Sequence, residues 1–295
     1  MMDTNEHLVV TTDWLEEHLD DPGLKVVDMR GYVVTRPVEQ GVEQATYKGA
    51  FEEYLATHIP GSVYIDWTKD IIDPDDPVPV QIAGPERFAE VMQARGIGDD
   101  TRQIVAVDHA GSQFATRLWW ALSYYGHDKV SVLDGGWNRW VDEDRPVESG
   151  PWNPPEAPVV FTPRPRPERR LTADQIAGRL NDPGVHLIDA RDAMQYSGAK
   201  RRGSRGGRIP GAVNLPRELF FAPGGGFLPI NEVRRRLEEH HRGLDINRPV
   251  FAYCNGGVAA TVVLFNLARL GHEKLANYDG SWNEWAERHD LPVEP

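Results

Sequence analysis

Cys254 is the only cysteine among the 295 residues of this chain, so any thiol chemistry must use a single sulfur atom. One cysteine excludes an intramolecular disulfide, a CxxC redox pair and a cysteine-rich zinc site. What remains is nucleophilic attack by a thiolate, with the intermediate resolved by an external acceptor. The alternative interpretation is a small, unreactive core residue.

The residues around Cys254 favour the reactive interpretation. The cysteine follows the apolar run Val250–Tyr253 and precedes a glycine-rich stretch, residues 255–259, that leads into an apolar helical pattern. Ligands bind at the carboxyl ends of parallel strands, where loops lead into helices. Gly256 and Gly257 let backbone N–H groups approach a ligand closely, and the positive end of the next helix adds to their field. We therefore expect an anion-binding loop that favours the thiolate form.

The second half of the chain alternates short β-branched runs with helical patterns, and these elements must position the loop. Predicted strands are residues 186–189, 212–214, 250–253 and 274–278, and predicted helices are residues 172–180, 230–240, 258–270 and 281–289. Thr172 and Gln175 predict a capping box at the first of these helices. Apolar strands separated by helices indicate a mainly parallel sheet covered on both faces.

The two halves of the chain repeat each other. Six blocks recur in order: residues 26–30 in 187–191, 58–63 in 208–213, 104–108 in 250–254, 126–127 in 271–272, 133–137 in 278–282 and 145–148 in 291–294. The repeat predicts an α/β protein of two tandem domains, residues 1–150 and 169–295, joined by a proline-rich linker, residues 151–168. Asp108 takes the place of Cys254 in the first domain. The repeated Asp-x-Arg motifs, Asp28 with Arg30 and Asp189 with Arg191, predict structural ion pairs.

The composition and charge of the chain limit the classes of molecule that it is expected to bind. Hydrophobic residues make up 40% and charged residues 26% of the chain, with a net charge of −13 and a pI near 5.2. The acidic balance argues against nucleic acid and anionic membranes, although clustered arginines at 201, 202, 205 and 208 leave room for a local basic pocket. The N-terminal residues lack the pattern of a secretory signal, so the expected location is cytoplasmic. The ten histidines show no metal-ligand spacing, and we expect no metal or cofactor.

The tandem halves, the Asp-x-Arg strands, the Ile-Pro-Gly turns at 59–61 and 209–211, and a cysteine loop in the second half only resemble the tandem-domain rhodanese family. Its members are thiosulfate and 3-mercaptopyruvate sulfurtransferases. The resemblance covers roughly residues 8–295 and implies two rhodanese-like domains, of which the first is catalytically silent, with Asp108 replacing the cysteine. It implies that Cys254 carries sulfur as a persulfide, which passes to cyanide or to a thiol such as that of thioredoxin.

The resemblance also implies which residues bind the donor. The loop comprises Asn255, Gly256, Gly257, Val258 and Ala259. A neutral loop is typical of the mercaptopyruvate enzymes, whereas thiosulfate enzymes carry basic residues there. Gly256 and Ala259 stand where the mercaptopyruvate enzymes have serine and threonine.

Three further positions follow from the resemblance. Gln195 stands where the family has a substrate-binding arginine, and a second family arginine corresponds to Arg201 or Arg205. Asp66 stands where an acidic residue of the first domain faces the active site.

Two other functions remain as alternatives. A phosphatase of a related fold needs an arginine at the end of a Cys-x5-Arg loop, where this chain has Ala260. A non-enzymatic module that receives persulfide from a partner protein would be consistent with the missing serine, threonine and arginine.

Overall fold

The computed structural model of the protein describes residues 5–109, 111–241, 244–245 and 247–295. These residues form two five-stranded parallel sheets flanked by helices, one sheet in each half of the chain. The predicted α/β fold of two tandem, mainly parallel units is confirmed.

The elements are short and alternate along the chain. The strands are β1 (Val9–Val10), β2 (Leu24–Asp28), β3 (Gly31–Glu39), β4 (Val42–Gly49), β5 (Val63–Tyr64), β6 (Gln103–Val107), β7 (Val130–Leu133), β8 (Arg170–Leu171), β9 (His186–Asp189), β10 (Val213–Asn214), β11 (Val250–Tyr253) and β12 (Leu275–Tyr278). The helices are α1 (Thr12–His18), α2 (Phe51–Ala56), α3 (Pro85–Ala94), α4 (Gln113–Tyr124), α5 (Gly136–Asp142), α6 (Ala173–Ala177), α7 (Ala193–Tyr196), α8 (Ile230–His240), α9 (Ala260–Arg269) and α10 (Ser281–Trp285). Short 3₁₀ helices span Glu6–Leu8, Pro167–Arg169 and Arg217–Phe220.

The two sheets have the same strand order. It is β1-β7-β6-β2-β5 in the first sheet and β8-β12-β11-β9-β10 in the second. Matching strands thus take matching places, and the repeat in sequence is a repeat in structure. Asp108 directly follows the central strand β6, and Cys254 directly follows the central strand β11.

The elements predicted for the second half are confirmed, with differences at their ends. The strands agree to within one residue, and α8 has the predicted bounds. Thr172 and Gln175 form the predicted capping box at α6. Helix α10 ends at Trp285 and not at 289. The Arg205 guanidinium donates to the carbonyl oxygens of Trp285, Ala286 and Arg288 at this end, which have no partner within the helix.

The Asp-x-Arg motifs form the predicted ion pairs. Arg30 lies 2.8 Å from Asp28 and Arg191 lies 2.6 Å from Asp189, and all four side chains are buried. Each guanidinium also lies over a tryptophan ring, Arg30 over Trp137 at 4.2 Å and Arg191 over Trp282 at 4.3 Å. The paired charges therefore fasten the ends of β2 and β9 to the helices α5 and α10.

An antiparallel hairpin, β3 with β4, was not predicted. It follows β2 and reaches across to the second half, where Arg201 N donates to Gly41 O at 2.8 Å and Glu43 N donates to Arg201 O at 2.9 Å. The sequence contains the pattern of such a hairpin, since β-branched residues alternate on both sides of a glycine. In the structure, this Gly41 lies at the turn with a φ of +73°. The first half therefore contributes a ribbon that touches the second.

A buried ion pair joins the two halves at the foot of their packed helices. Helix α4 lies against α9, with the hydroxyls of Thr116 and Thr261 2.9 Å apart. The adjacent Arg117 lies 2.6 Å from Asp279, and these two side chains are 2% and 1% exposed. Asp279 also accepts a hydrogen bond from Ile82 N at 3.0 Å. Asp279 has a second cationic partner, the half-buried Arg170 at 3.1 Å. Removing Arg117 would still leave the buried carboxylate with much of its compensation lost, which is costly.

We expect Arg117→Met to lower the free energy of unfolding by about 3 kcal/mol, because Asp279 would stay buried with much of its compensation lost. The urea midpoint of unfolding measures this loss. Arg235→Met is the matched control: its guanidinium is 55% exposed and pairs with Glu232 and Glu239 on α8, so a change below about 1 kcal/mol is expected. Equal losses in the two variants would contradict the importance of the buried pair.

Candidate active site

Cys254 lies at the carboxyl end of β11 beside a cavity of about 290 Å³ between the two halves. The residue is 3% exposed, and no other cysteine exists with which it could pair. Both halves line the cavity: Val33, Thr35, Tyr47, Val80 and Gln113 come from the first, and Ala190, Arg191, Asp192, Gln195, Arg202, Arg217, Glu218, Cys254, Asn255, Gly256, Val258 and Ala259 come from the second.

The cysteine loop, residues 254–259, is held from behind by the start of α10. Cys254 N donates to Ser281 Oγ at 3.1 Å, Trp282 N donates to Cys254 O at 3.1 Å, and Asn283 N donates to Asn255 O at 2.8 Å. Gly257 has a φ of +68°, and a Cβ there would come within 2.6 Å of the carbonyl oxygen of Asp279. Only glycine fits this close approach, so the loop backbone has one well-defined course.

The backbone N–H groups that follow the cysteine are left for a ligand. Within the part of the chain that the structure describes, the amides of residues 255–259 donate no hydrogen bond. Helix α9 begins at Ala260, so its positive end lies next to these donors. The loop thus has the donors and the field that an anion bound at Cys254 would need.

The matching loop of the first half shows what these donors bind. Asp108 Oδ2 accepts hydrogen bonds from Phe114 N at 2.7 Å and from Ala115 N at 3.1 Å. Thr116 and Thr261 are equivalent, since each lies ten residues before the matched Gly-His pair. Counted back from these threonines, Phe114 and Ala115 correspond to residues 259 and 260. The loop of the first half is therefore filled by its own carboxyl group.

Gln195 anchors the cysteine loop to the hairpin. Its side chain is 2% exposed. Gln195 Oε1 accepts from Asn255 Nδ2 at 2.9 Å, and Gln195 Nε2 donates to Glu43 Oε2 at 3.4 Å. Gln195 thus lines the cavity at the predicted place, with both ends of its amide engaged in holding the wall together.

The hairpin forms the wall opposite the loop, and sequence reasoning missed this contribution. A Cβ on Gly256 would lie 2.9 Å from Val80 Cγ2, 3.1 Å from Asn283 Nδ2 and 3.6 Å from the Tyr47 hydroxyl. A serine at 256 would have to displace these groups. The resemblance leads one to expect a serine at this position. Its side chain has no room there, because Val80 and Tyr47 of the first half and Asn283 of the second half pack against Gly256.

The prediction for the arginines needs correction. Arg201 does not line the cavity: its guanidinium pairs with Glu39 at 3.0 Å and donates to the carbonyl oxygens of Gly203 and Ser204. Arg205 is also absent from the lining because it caps α10. Arg202 and Arg217 line the cavity instead. The loop that carries Arg201 and Arg202 has no sequence period from which the side-chain direction could be read.

Asp66 does not line the cavity either. Its Oδ1 accepts from Thr68 N at 3.0 Å and from Thr68 Oγ1 at 2.6 Å, and its Oδ2 lies 3.3 Å from Lys69 Nζ. Gly49 packs against the same carboxylate, since a Cβ there would come within 2.5 Å of it. Asp66 is committed to its own turn, so the expectation that it faces the site is wrong for this structure.

Metal-ligand clusters and membrane-spanning helices are both absent from the described residues. No group of three or more His, Cys, Asp or Glu side chains there could hold a metal ion. Among the same residues, no helix is both long and apolar enough to cross a membrane.

Comparisons with known proteins agree along the whole chain. Residues 11–143 and 172–288 match the family model of the rhodanese-like domain. The chain is 33% identical, over 97% of its length and 78% of the relative, to "thiosulfate/3-mercaptopyruvate sulfurtransferase 1, mitochondrial" of Arabidopsis thaliana. It is 34% identical, over 97% of both chains, to 3-mercaptopyruvate sulfurtransferase of Escherichia coli strain K12. The crystal structure of SseA from Escherichia coli, a 3-mercaptopyruvate sulfotransferase, matches with a TM-score of 0.78 and 30% identity, over 93% of this chain and 98% of that one.

The Asp108 carboxyl group should make stability depend on pH. Burial raises its pKa from 3.8 to about 7, although the amides of Phe114 and Ala115 and the charge of Arg217 oppose the rise. The folded state therefore holds this proton more tightly than the unfolded chain. The stabilising contribution of Asp108 is complete below pH 3.8 and is lost as the pH rises through about 7.

We expect Asp108→Asn to remove this loss, so that the stability of the variant relative to wild type increases between pH 4 and pH 7, by at most about 1.4 kcal/mol per pH unit. Urea unfolding at a series of pH values measures the difference. Asp20→Asn, which changes the same charge at an exposed position, should show no such slope. A pH-independent difference for Asp108→Asn would contradict the assignment.

Proposed function

Since this chain belongs to the rhodanese family and is a sulfurtransferase, we propose that it carries the transferred sulfur as a persulfide on Cys254. The observation that carries the proposal is the pair of matching loops. In the first half, two amides donate to the Asp108 carboxyl group. In the second half, Cys254 replaces the aspartate and the amides of residues 255–259 have no partner among the described residues. A persulfide anion on Cys254 would occupy the place of the carboxylate.

The first chemical step is attack by the Cys254 thiolate on the transferable sulfur of the donor. With thiosulfate, the new S–S bond forms to the outer sulfur, the S–S bond of the donor breaks, and sulfite leaves with the electron pair. The persulfide keeps one negative charge. Unpaired loop amides and the positive end of α9 stabilise that charge as it develops.

Arg202 and Arg217 would bind the anionic group of the donor. Both line the cavity that contains Cys254. Arg202 Nε lies 3.6 Å from Glu43 Oε2 and has no hydrogen-bond partner among the described residues. Arg191 also lines the cavity, but its charge is taken up by Asp189. Arginine suits a carboxylate because it donates two parallel hydrogen bonds. The neutral cysteine loop favours 3-mercaptopyruvate over thiosulfate as the preferred donor.

In the second step, an acceptor would attack the outer sulfur of the persulfide and release the Cys254 thiolate. Cyanide would leave as thiocyanate, and a thiol such as that of thioredoxin would leave as a persulfide.

We also propose a cytoplasmic location and a division into two domains, residues 1–150 and 169–295, joined by the linker 151–168. One relative carries a mitochondrial name, and fractionation of the source cells would test the location.

Incubation with a sulfur donor should add about 32 Da to the protein, since one sulfur atom is bound covalently. Intact-mass measurement, with and without a reducing agent, detects the adduct. The adduct should be absent from Cys254→Ser and should form on Arg235→Met at the wild-type rate. A wild-type protein that gains no mass with mercaptopyruvate, thiosulfate or polysulfide would overturn the persulfide proposal.

Arg202→Gln and Arg217→Gln should each raise KM for the anionic donor about tenfold with a smaller change in kcat, because a charge-assisted hydrogen bond to the bound donor is lost. Steady-state kinetics with each donor measure the effect. Arg201→Gln is the matched control, since the adjacent Arg201 pairs with Glu39 outside the cavity. A rise in KM in the Arg201 variant alone would reverse the assignment.

A further inference from the structure

Tyr47 brings a hydroxyl from the first half to the cysteine loop of the second. It lies on β4, on the inward face of the hairpin, and lines the cavity together with Cys254. Its ring packs edge-on against Trp67 at 5.6 Å between ring centres, and Trp67 is itself 1% exposed. The hydroxyl lies 3.6 Å from the position that a Cβ of residue 256 would occupy. A rigid aromatic support therefore holds a hydroxyl beside the loop.

The direction of the hydroxyl proton follows from its neighbour. Asn283 Nδ2 donates to the Tyr47 oxygen at 3.1 Å. An amide NH₂ group can only donate, so the phenol must direct its own proton elsewhere. Burial, and to a smaller degree the charge of Cys254, raise the pKa of Tyr47. The phenol is therefore protonated at neutral pH and has a proton to give.

We propose that Tyr47 is the catalytic proton donor to the leaving group when 3-mercaptopyruvate is the sulfur donor. The inference rests on the persulfide function proposed above and names the residue that completes its first step. Gly256 in the loop and Val80 packed against it have no side-chain group that could donate a proton. Asn283, which orients the phenol, also contributes its backbone N–H to the loop through Asn255. Asn283 therefore fixes the Tyr47 hydroxyl through its side chain and the cysteine loop through its backbone.

The proposed step balances in atoms and electrons. The Cys254 thiolate attacks the sulfur of mercaptopyruvate, an S–S bond forms, and the C–S bond breaks with its electron pair passing to the enolate of pyruvate. Tyr47 gives its proton to this enolate, and pyruvate leaves. The Tyr47 phenolate then takes the proton from the new Cys254 S–SH group. The persulfide anion and neutral Tyr47 remain, with no oxidant or reductant consumed.

A second cavity gives the phenol a route to solvent. This space of about 420 Å³ is lined by Tyr47, Arg202 and Asn283, together with residues of the hairpin edge and Pro79. Tyr47 and Arg202 belong to both cavities and so form the wall between them. Water in the outer cavity could exchange protons with Tyr47 between turnovers without entering the reaction space.

The test is Tyr47→Phe, which keeps the ring and removes only the hydroxyl. Thiosulfate and inorganic polysulfide release leaving groups that need no proton, so they separate proton donation from packing. We expect kcat with mercaptopyruvate to fall about 100-fold, within the range typical of general acids. Loading of Cys254 by thiosulfate or polysulfide, followed as the mass increase, should stay within about twofold of wild type.

Two further variants test whether the effect is specific to the Tyr47 hydroxyl and to its orientation. Tyr32→Phe removes a phenol hydroxyl from the outward face of the same hairpin, where it bonds Glu53, and should leave kinetics with both donor classes unchanged. Asn283→Ala removes the orienting donor and should cause a smaller loss that is again selective for mercaptopyruvate. Equal losses with all donors in Tyr47→Phe, or no loss at all, would overturn the role of Tyr47. Absence of any adduct on the wild-type protein would instead reject the persulfide function itself.

Discussion

The buried pair of Arg117 and Asp279 holds the active site together, because its two residues come from different halves of the chain. The Arg117 guanidinium also donates to Val80 O at 3.0 Å and to Gly257 O at 3.1 Å. One cation thus touches the first-half wall of the cavity, the cysteine loop and the carboxylate behind that loop. Its rigid planar donors suit this bridging role better than an ammonium group would. The cavity depends on this contact for its shape.

The two halves carry matching loops, and the first residue of the loop is Asp108 in one half and Cys254 in the other. Asp108 places a carboxyl group on the amides of its own loop, so that loop has no room for an external anion. Cys254 has a shorter side chain and leaves the equivalent donors unpaired among the described residues. The first half is therefore an internal reference for what the loop binds.

The first half has an aspartate in place of the cysteine in its own loop but contributes to the candidate site of the second half. Its hairpin supplies Tyr47, and Glu43 of the same hairpin contacts Gln195 and Arg202. The loop lacks the serine expected from the resemblance, and the space at Gly256 is closed by Val80 and Tyr47. The hydroxyl nearest to that space comes from across the interface, because packing of the hairpin brings Tyr47 to within 3.6 Å of a Cβ built on Gly256.

The sequence by itself determined the repeat, the parallel sheets and the place of Cys254, the proposed nucleophile, at the end of a central strand. These depend on local order: an apolar strand, a cysteine, two glycines and a helix are adjacent in the chain, so their arrangement can be read directly. The tertiary structure alone decided that Arg202 and not Arg201 lines the cavity, that Asp66 is absent from its lining, and that Tyr47 lines it together with Cys254. These side chains lie on a hairpin and on irregular loops far from residue 254 in sequence. Their directions follow from packing between the halves, which no local pattern encodes.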